Sequence, residues 1–163
     1  MKTRLSLLLL VICASMLAGC TRPARLYPVQ GPLSAQTPTP VLFAKVTGAV
    51  YPAGISVVLG DGEQCRGRWT QVEPVQASKG ASTGSLVTTA GDMSPVWDSV
   101  YGPGYYVAHV LGGPFHFKSV VSGNRGTILN LEMYWDAGES TGRYFSVRGV
   151  GRDNKGNIYK FIM

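Results

Sequence analysis

Three sets of residues in this sequence are of the type and order that chemistry requires. Gly80-Ala81-Ser82-Thr83-Gly84 spells a G-x-S-x-G nucleophile elbow, and Asp92 or Asp98, then His109 or His116, follow in the order of an acid and a base. Such a serine must be presented on a sharp turn between an apolar strand and a helix. Neither Val75 to Lys79 before it nor Ser85 to Thr89 after it supplies one, so the stretch reads as a Ser/Thr/Gly-rich loop and no catalytic residue is assigned. His109 and His116 are the two histidines, and with Cys65 they could offer two or three ligands to zinc or copper. They form no i, i+2 or i, i+4 pair and no carboxylate stands in a diagnostic position. His109 shares a face with Val107 and Leu111, and His116, beside Lys118, is expected to be exposed. No metal or other cofactor is assigned. Arg66 and Arg68 alternate on one strand face, while Arg143, Arg148 and Arg152, with Lys160, lie on or near the last hairpin. If those strands are neighbours, the arginines make a basic stripe for phosphate or carboxylate groups, bordered by Tyr134 and Tyr144. Lipid A, phospholipid or an acidic cell-wall polymer would fit it.

Cys20 carries a different chemistry. Met1-Lys2-Thr3-Arg4 is a basic start, and Leu5 to Leu17 is an apolar run. As a helix the run spans roughly 20 Å, short of the roughly 30 Å hydrocarbon core, so it reads as the h-region of a signal peptide. It ends in Leu17-Ala18-Gly19-Cys20. This resembles the lipobox of bacterial lipoproteins. The resemblance implies cleavage before Cys20, a diacylglyceryl thioether on its sulfur, and often a third acyl chain on its amine. Two or more chains anchor a protein stably where one does not. Thr21, in place of the Asp that favours inner-membrane retention, implies the periplasmic face of an outer membrane. Arg25 to Leu33 and Asp61 to Trp69 also resemble segments of uncharacterised small Gram-negative envelope lipoproteins, a likeness that brings no activity with it. Cys13 leaves with the signal and Cys20 takes lipid, so Cys65 has no disulfide partner and is expected as a small buried hydrophobe.

Three regions must position these groups: a signal peptide over 1–19, the lipidated Cys20 with a Pro-rich tether over 20–40, and a β domain over 41–163. The tether carries Pro23, Pro28, Pro32, Pro38 and Pro40 and would reach roughly 60 Å as polyproline-like chain, though Leu26, Tyr27 and Leu33 could dock on the domain. The domain is predicted to be all-β, a single small antiparallel barrel or sandwich of about eight strands with one short helix. Twenty-one glycines and 15% charged residues suit it. Strands are read at Val41–Thr47, near Ile55–Leu59, Cys65–Thr70, Tyr105–Leu111, Phe115–Val121, Thr127–Trp135, Phe145–Val150 and Ile158–Ile162. Asp61-Gly62 and Asp153 to Gly156 supply turns. Ser94-Pro95 begins the helix and Gly102 stops it. Alternating aromatics belong to the core, and Trp97 is expected to be an exposed contact.

The formal charge is +6; without Lys2 and Arg4 the chain keeps thirteen basic against nine acidic residues. An exported protein of this modest charge points away from nucleic acid and toward anionic surfaces or another envelope protein. The expected function is therefore a membrane-anchored, non-enzymatic binding or accessory module of the envelope. The alternatives are a small periplasmic hydrolase on cell-wall or lipid substrates, or a periplasmic enzyme inhibitor.

Overall fold

A computed structural model describes residues 20–48, 51–72, 92–111, 113–136 and 146–163. The signal segment, the G-x-S-x-G stretch, Arg143 and Tyr144 lie outside these residues. The strands are β1 (Thr21–Gln30), β2 (Leu42–Thr47), β3 (Gly54–Val58), β4 (Gln64–Gln71), β5 (His116–Gly123), β6 (Ile128–Asp136), β7 (Ser146–Asp153) and β8 (Ile158–Ile162). Each pairs antiparallel with the next along the chain, and β8 pairs with β1 to close a barrel. Between β4 and β5 lie a helix, α1 (Ser94–Tyr101), and a π-helical turn (Tyr106–Val110).

The all-β small barrel is as expected, but one of its eight members was not predicted and one predicted strand is not among them. Thr21–Gln30 is not a tether: it is the strand that closes the barrel, and the β domain begins at Thr21 rather than Val41. Ala24, Leu26 and Pro28 alternate inward while Arg25 and Val29 face out. Its two prolines sit where one ladder is missing. Pro23 precedes the first rung to β8, which pairs Arg25 with Ile162. Pro28 lies past the last rung to β2, Leu26 with Leu42, at a bulge in the β1–β8 ladder. A proline tolerates strand geometry when its absent N–H has no partner to meet. The predicted strand that β1 replaces is Tyr105–Leu111, which is found in the π-helical turn. Trp97, Tyr101, Tyr105 and His109 recur every four residues, and their rings stack in succession, 5.5, 4.7 and 4.5 Å apart between centroids. That helical spacing ties the segment to α1 and overrides its strand-like alternation.

The interior is a packed core rather than a channel, as expected for eight strands. Leu26, Leu42, Val57, Phe117, Leu129, Leu131, Met133, Tyr159 and Phe161 fill it, and Cys65 joins them fully buried. The bulk of these side chains is accommodated by glycine on β7. A Cβ on Gly149 would lie 2.8 Å from the Phe161 ring, and one on Gly151 would lie 2.6 Å from Leu131. A second, smaller core lies outside the barrel, where α1 and the π-helical turn lay Val96, Trp97 and Val110 over Tyr134 and Val150. The layer covers one side of the barrel, and the outer face of β1 to β4 is left without a covering element among the described residues.

Candidate functional site

That uncovered face has an unusual composition. Strands β1 to β4 and β8 contain Arg22, Arg25, Lys45, Arg66, Arg68 and Lys160, and not one Asp or Glu. Alternation fixes which of these face solvent. Since Ala24 and Leu26, Ala44 and Val46, Cys65 and Trp69, and Tyr159 and Phe161 point inward, Arg25, Lys45, Arg66, Arg68 and Lys160 point out. Arg22 has the inward parity but sits at the barrel's rim and is exposed.

The register sets these groups side by side. One rung runs Arg148, Ile162, Arg25, Phe43, Val58, Gln64 across β7, β8, β1, β2, β3 and β4. The adjacent outward rung runs Pro23, Lys45, Ser56, Arg66. Directly opposed side chains on one face stand about 4.5–5.5 Å apart at Cβ. The result is an apolar strip, Phe43 and Val58 with Ile162 on the other side of Arg25, beside the Lys45 and Arg66 of the adjacent rung. Phe43 is 64% exposed, which is high for an aromatic ring on a soluble surface. The Arg25 guanidinium lies 5.9 Å from its ring centroid, a cation–π contact that holds the arginine across the apolar strip. These residues line a groove of about 660 Å³, which also takes in Tyr27 and Met163. Among the described residues no carboxylate pairs with Arg25, Lys45, Arg66 or Arg68. Positive charge concentrated this way, with planar arginines in reach of an apolar strip, suits a phosphate or carboxylate carried on a partly apolar molecule.

The predicted arginine stripe is therefore divided. Arg66 and Arg68 lie on β4, whose neighbours are β3 and β5, and Arg148 and Arg152 lie on β7, between β6 and β8. The strands are not adjacent, so the stripe as drawn from the sequence does not form. Arg66 and Arg68 instead join Arg25 and Lys45, which were hidden in the supposed tether and in an apolar run. Arg148 reaches the same rung from the other side, and its Nη1 donates to the Tyr105 hydroxyl at 3.2 Å. Tyr134, expected to border the stripe, is buried under the helix layer. The signal that could have found Arg25 was the strict alternation Ala24, Leu26, Pro28, which the prolines obscured.

The catalytic and metal candidates are engaged elsewhere. Asp92 Oδ1 accepts from the Ser94 amide and hydroxyl at 3.0 and 2.7 Å, which holds its carboxyl below the usual range. Asp98 accepts from the Tyr106 amide at 3.1 Å. His109 stacks on Tyr105. His116 is 4% exposed, not exposed as expected, because Glu132 draws it beneath α1. That glutamate is the center of a buried polar group. Its Oε2 accepts from Trp97 Nε1 at 2.7 Å and lies 3.3 Å from His116 Nε2, and Lys118 Nζ stands 2.9 Å from its Oε1. Burial works to raise the Glu132 pKa, and the bonds from His116, Lys118 and Trp97 outweigh it and lower it. Trp97, expected as an exposed contact, is fully buried by the same arrangement. Burial also raises the Cys65 thiol, which marks it as inert packing. Among the described residues no three His, Cys, Asp or Glu side chains gather as a metal site.

Cys20 is exposed and adjoins the barrel directly. Its carbonyl accepts from the Gly48 amide at 3.1 Å, and Thr21 pairs with Thr47 on the next rung. A lipid on its sulfur would have no tether between itself and the folded domain. No protein family, no curated protein and no solved structure matches this chain.

Proposed function

We propose that this chain is a lipid-anchored envelope protein that acts by binding, and that the outer face of β1 to β4 takes an anionic lipid of the membrane to which Cys20 is fastened. The observation that carries the reading is the face itself: Arg25, Lys45, Arg66 and Arg68 with no acidic residue in their strands, beside the exposed Phe43, Val58 and Ile162. A lipid supplies both halves of that surface, phosphate for the arginines and acyl carbon for the apolar strip. The groove includes Pro23, three residues beyond Cys20, so it opens beside the anchor. The lipobox-like Leu17-Ala18-Gly19-Cys20 supplies the membrane attachment.

The test uses the chain from Thr21 onward, without the anchor, sedimented with vesicles. Binding is expected to anionic phospholipid vesicles and not to purely zwitterionic ones, and to weaken as salt is raised. The triple variant Arg25→Glu, Lys45→Glu, Arg66→Glu is expected to lose affinity by about a hundredfold or more, since each neutralised cation near an anionic membrane is worth about 1 kcal/mol and 1.4 kcal/mol is tenfold. Equal binding of the variant, or binding to isolated cell-wall sacculi alone, contradicts the reading.

A further inference from the structure

The barrel has two ends of different character. At the end away from Cys20, buried polar side chains tie the turns together beside Leu33 and Leu59, with no aromatic cluster there among the described residues. Glu63 accepts from the Arg125 and Thr127 amides and the Thr127 hydroxyl, and Asp153 accepts from Asn157 and the Tyr159 hydroxyl. At the Cys20 end, where β1, β3, β5 and β7 begin and β2, β4, β6 and β8 finish, the closure is aromatic. Tyr51, in the β2–β3 connection, is half exposed and lies nearly parallel to the Trp135 ring, 6.1 Å between centroids and 11° between planes. Phe115 stacks on Trp135 at 5.2 Å, and Phe117 backs Trp135 and Tyr51 from inside. Tyr51, Phe115 and Trp135 are thus partly open to solvent at the same end of the barrel as the acylation site.

We propose that this end of the barrel is a bilayer-contact surface, with Tyr51, Phe115 and Trp135 seated at the level of the lipid headgroups beside Cys20. The inference rests on the reading of Cys20 as acylated, and goes beyond it. The acyl chains leave from a residue whose carbonyl is bonded to Gly48, in the same β2–β3 connection as Tyr51. One residue spans about 3.5 Å of chain, so acyl chains buried in the bilayer draw the aromatic rim down with them. Tyrosine and tryptophan favour this zone, because their rings are apolar while their O–H and N–H groups remain in reach of water and headgroups. Nineteen residues of chain end at Cys20, and in the lipoprotein reading they are exchanged for lipid at this rim. The bilayer is therefore the occupant that the geometry brings to it.

The experiment uses the full lipoprotein, expressed with its signal and reconstituted in liposomes, with an environment-sensitive fluorophore on Tyr51→Cys or, where that substitution disturbs the stack, on Ala53→Cys in the same connection. A Gly60→Cys label, at an exposed turn position with room for a side chain, marks the opposite end. Cys65 is buried and does not compete for label. Incorporation of labelled palmitate is measured on the same preparations. The expected result is palmitate on the protein, with the fluorophore at 51 or 53 blue-shifted and quenched by bromolipids several-fold more than the one at 60. Palmitate present with equal or absent quenching at the two ends overturns the contact surface and leaves the anchor standing. Absence of palmitate overturns the anchor itself, and this proposal with it.

Discussion

Glu63 and Glu132 are both almost fully buried, yet they are held by different partners, and the difference sets what each should do when it is changed. The Thr127 hydroxyl, the Thr127 and Arg125 amides and the Lys155 ammonium hold the Glu63 carboxyl down at about 2. A carboxylate with a lowered folded-state pKa stabilises the fold above its unfolded value of 4.5, and that contribution is lost as pH falls from there through about 2. Thermal unfolding followed from pH 7 to pH 2 should therefore show a steeper acid loss for the natural chain than for Glu63→Gln; superimposable profiles would deny Glu63 this role. Glu132 faces Lys118, His116 and Trp97 instead, so its removal strands several groups at once. Glu132→Ala is expected to cost about 3–5 kcal/mol in urea unfolding, as when one member of a buried ion pair is deleted, and Glu132→Gln, which still accepts from Trp97, should cost less. Neither role was legible beforehand. In the sequence Glu63 is one residue of a turn, and Glu132 occupies a solvent-facing strand position that only the packing of α1 encloses.

At the scale of elements, seven of the eight predicted strands were found close to where alternation put them, because a half-buried strand writes its period of two directly into the chain. The run Leu129, Leu131, Met133, Trp135 and the pair of hairpins around Asp61-Gly62 and Asp153 to Gly156 are of this kind. What alternation could not show was which strands are neighbours, and the proposed anion-binding face depended on that. The arginines of β4 and β7 are separated by two strands, and the residues that complete the face lie on β1 and β2. β1 itself was concealed because proline counts against a strand until the missing ladder partners are known. Its membership makes a sharp prediction. A chain starting at Val41 has lost Leu26 and Ala24 from the core and leaves β2 and β8 as open edges. It should fail to unfold cooperatively in urea, whereas a chain starting at Cys20 should unfold in one transition. Cooperative folding from Val41 would restore the tether.

For the molecule as a whole, the loss of the tether changes what the proposed anchor would mean. A polyproline-like leash of roughly 60 Å would let the domain search the space above the membrane. With β1 starting at Thr21, the proposed anchor would set the domain on the bilayer, where the basic groove on its flank would meet lipids rather than distant partners. The stance can be released deliberately. Inserting ten Gly/Ser residues between Cys20 and Thr21, a coil with a reach of about 17 Å, should leave palmitate incorporation intact and reduce bromolipid quenching of the Tyr51→Cys label. Unchanged quenching would mean that the rim holds itself to the bilayer without the short connection. All of this depends on Thr21–Gln30 being barrel rather than leash, and amide hydrogen exchange measures that directly. Arg25 and Leu26, which have registered partners on both sides, should be protected to the same degree as Leu129 and Leu131 of β6. Exchange of the β1 amides at the rate of a free chain, with β6 still protected, would contradict the account.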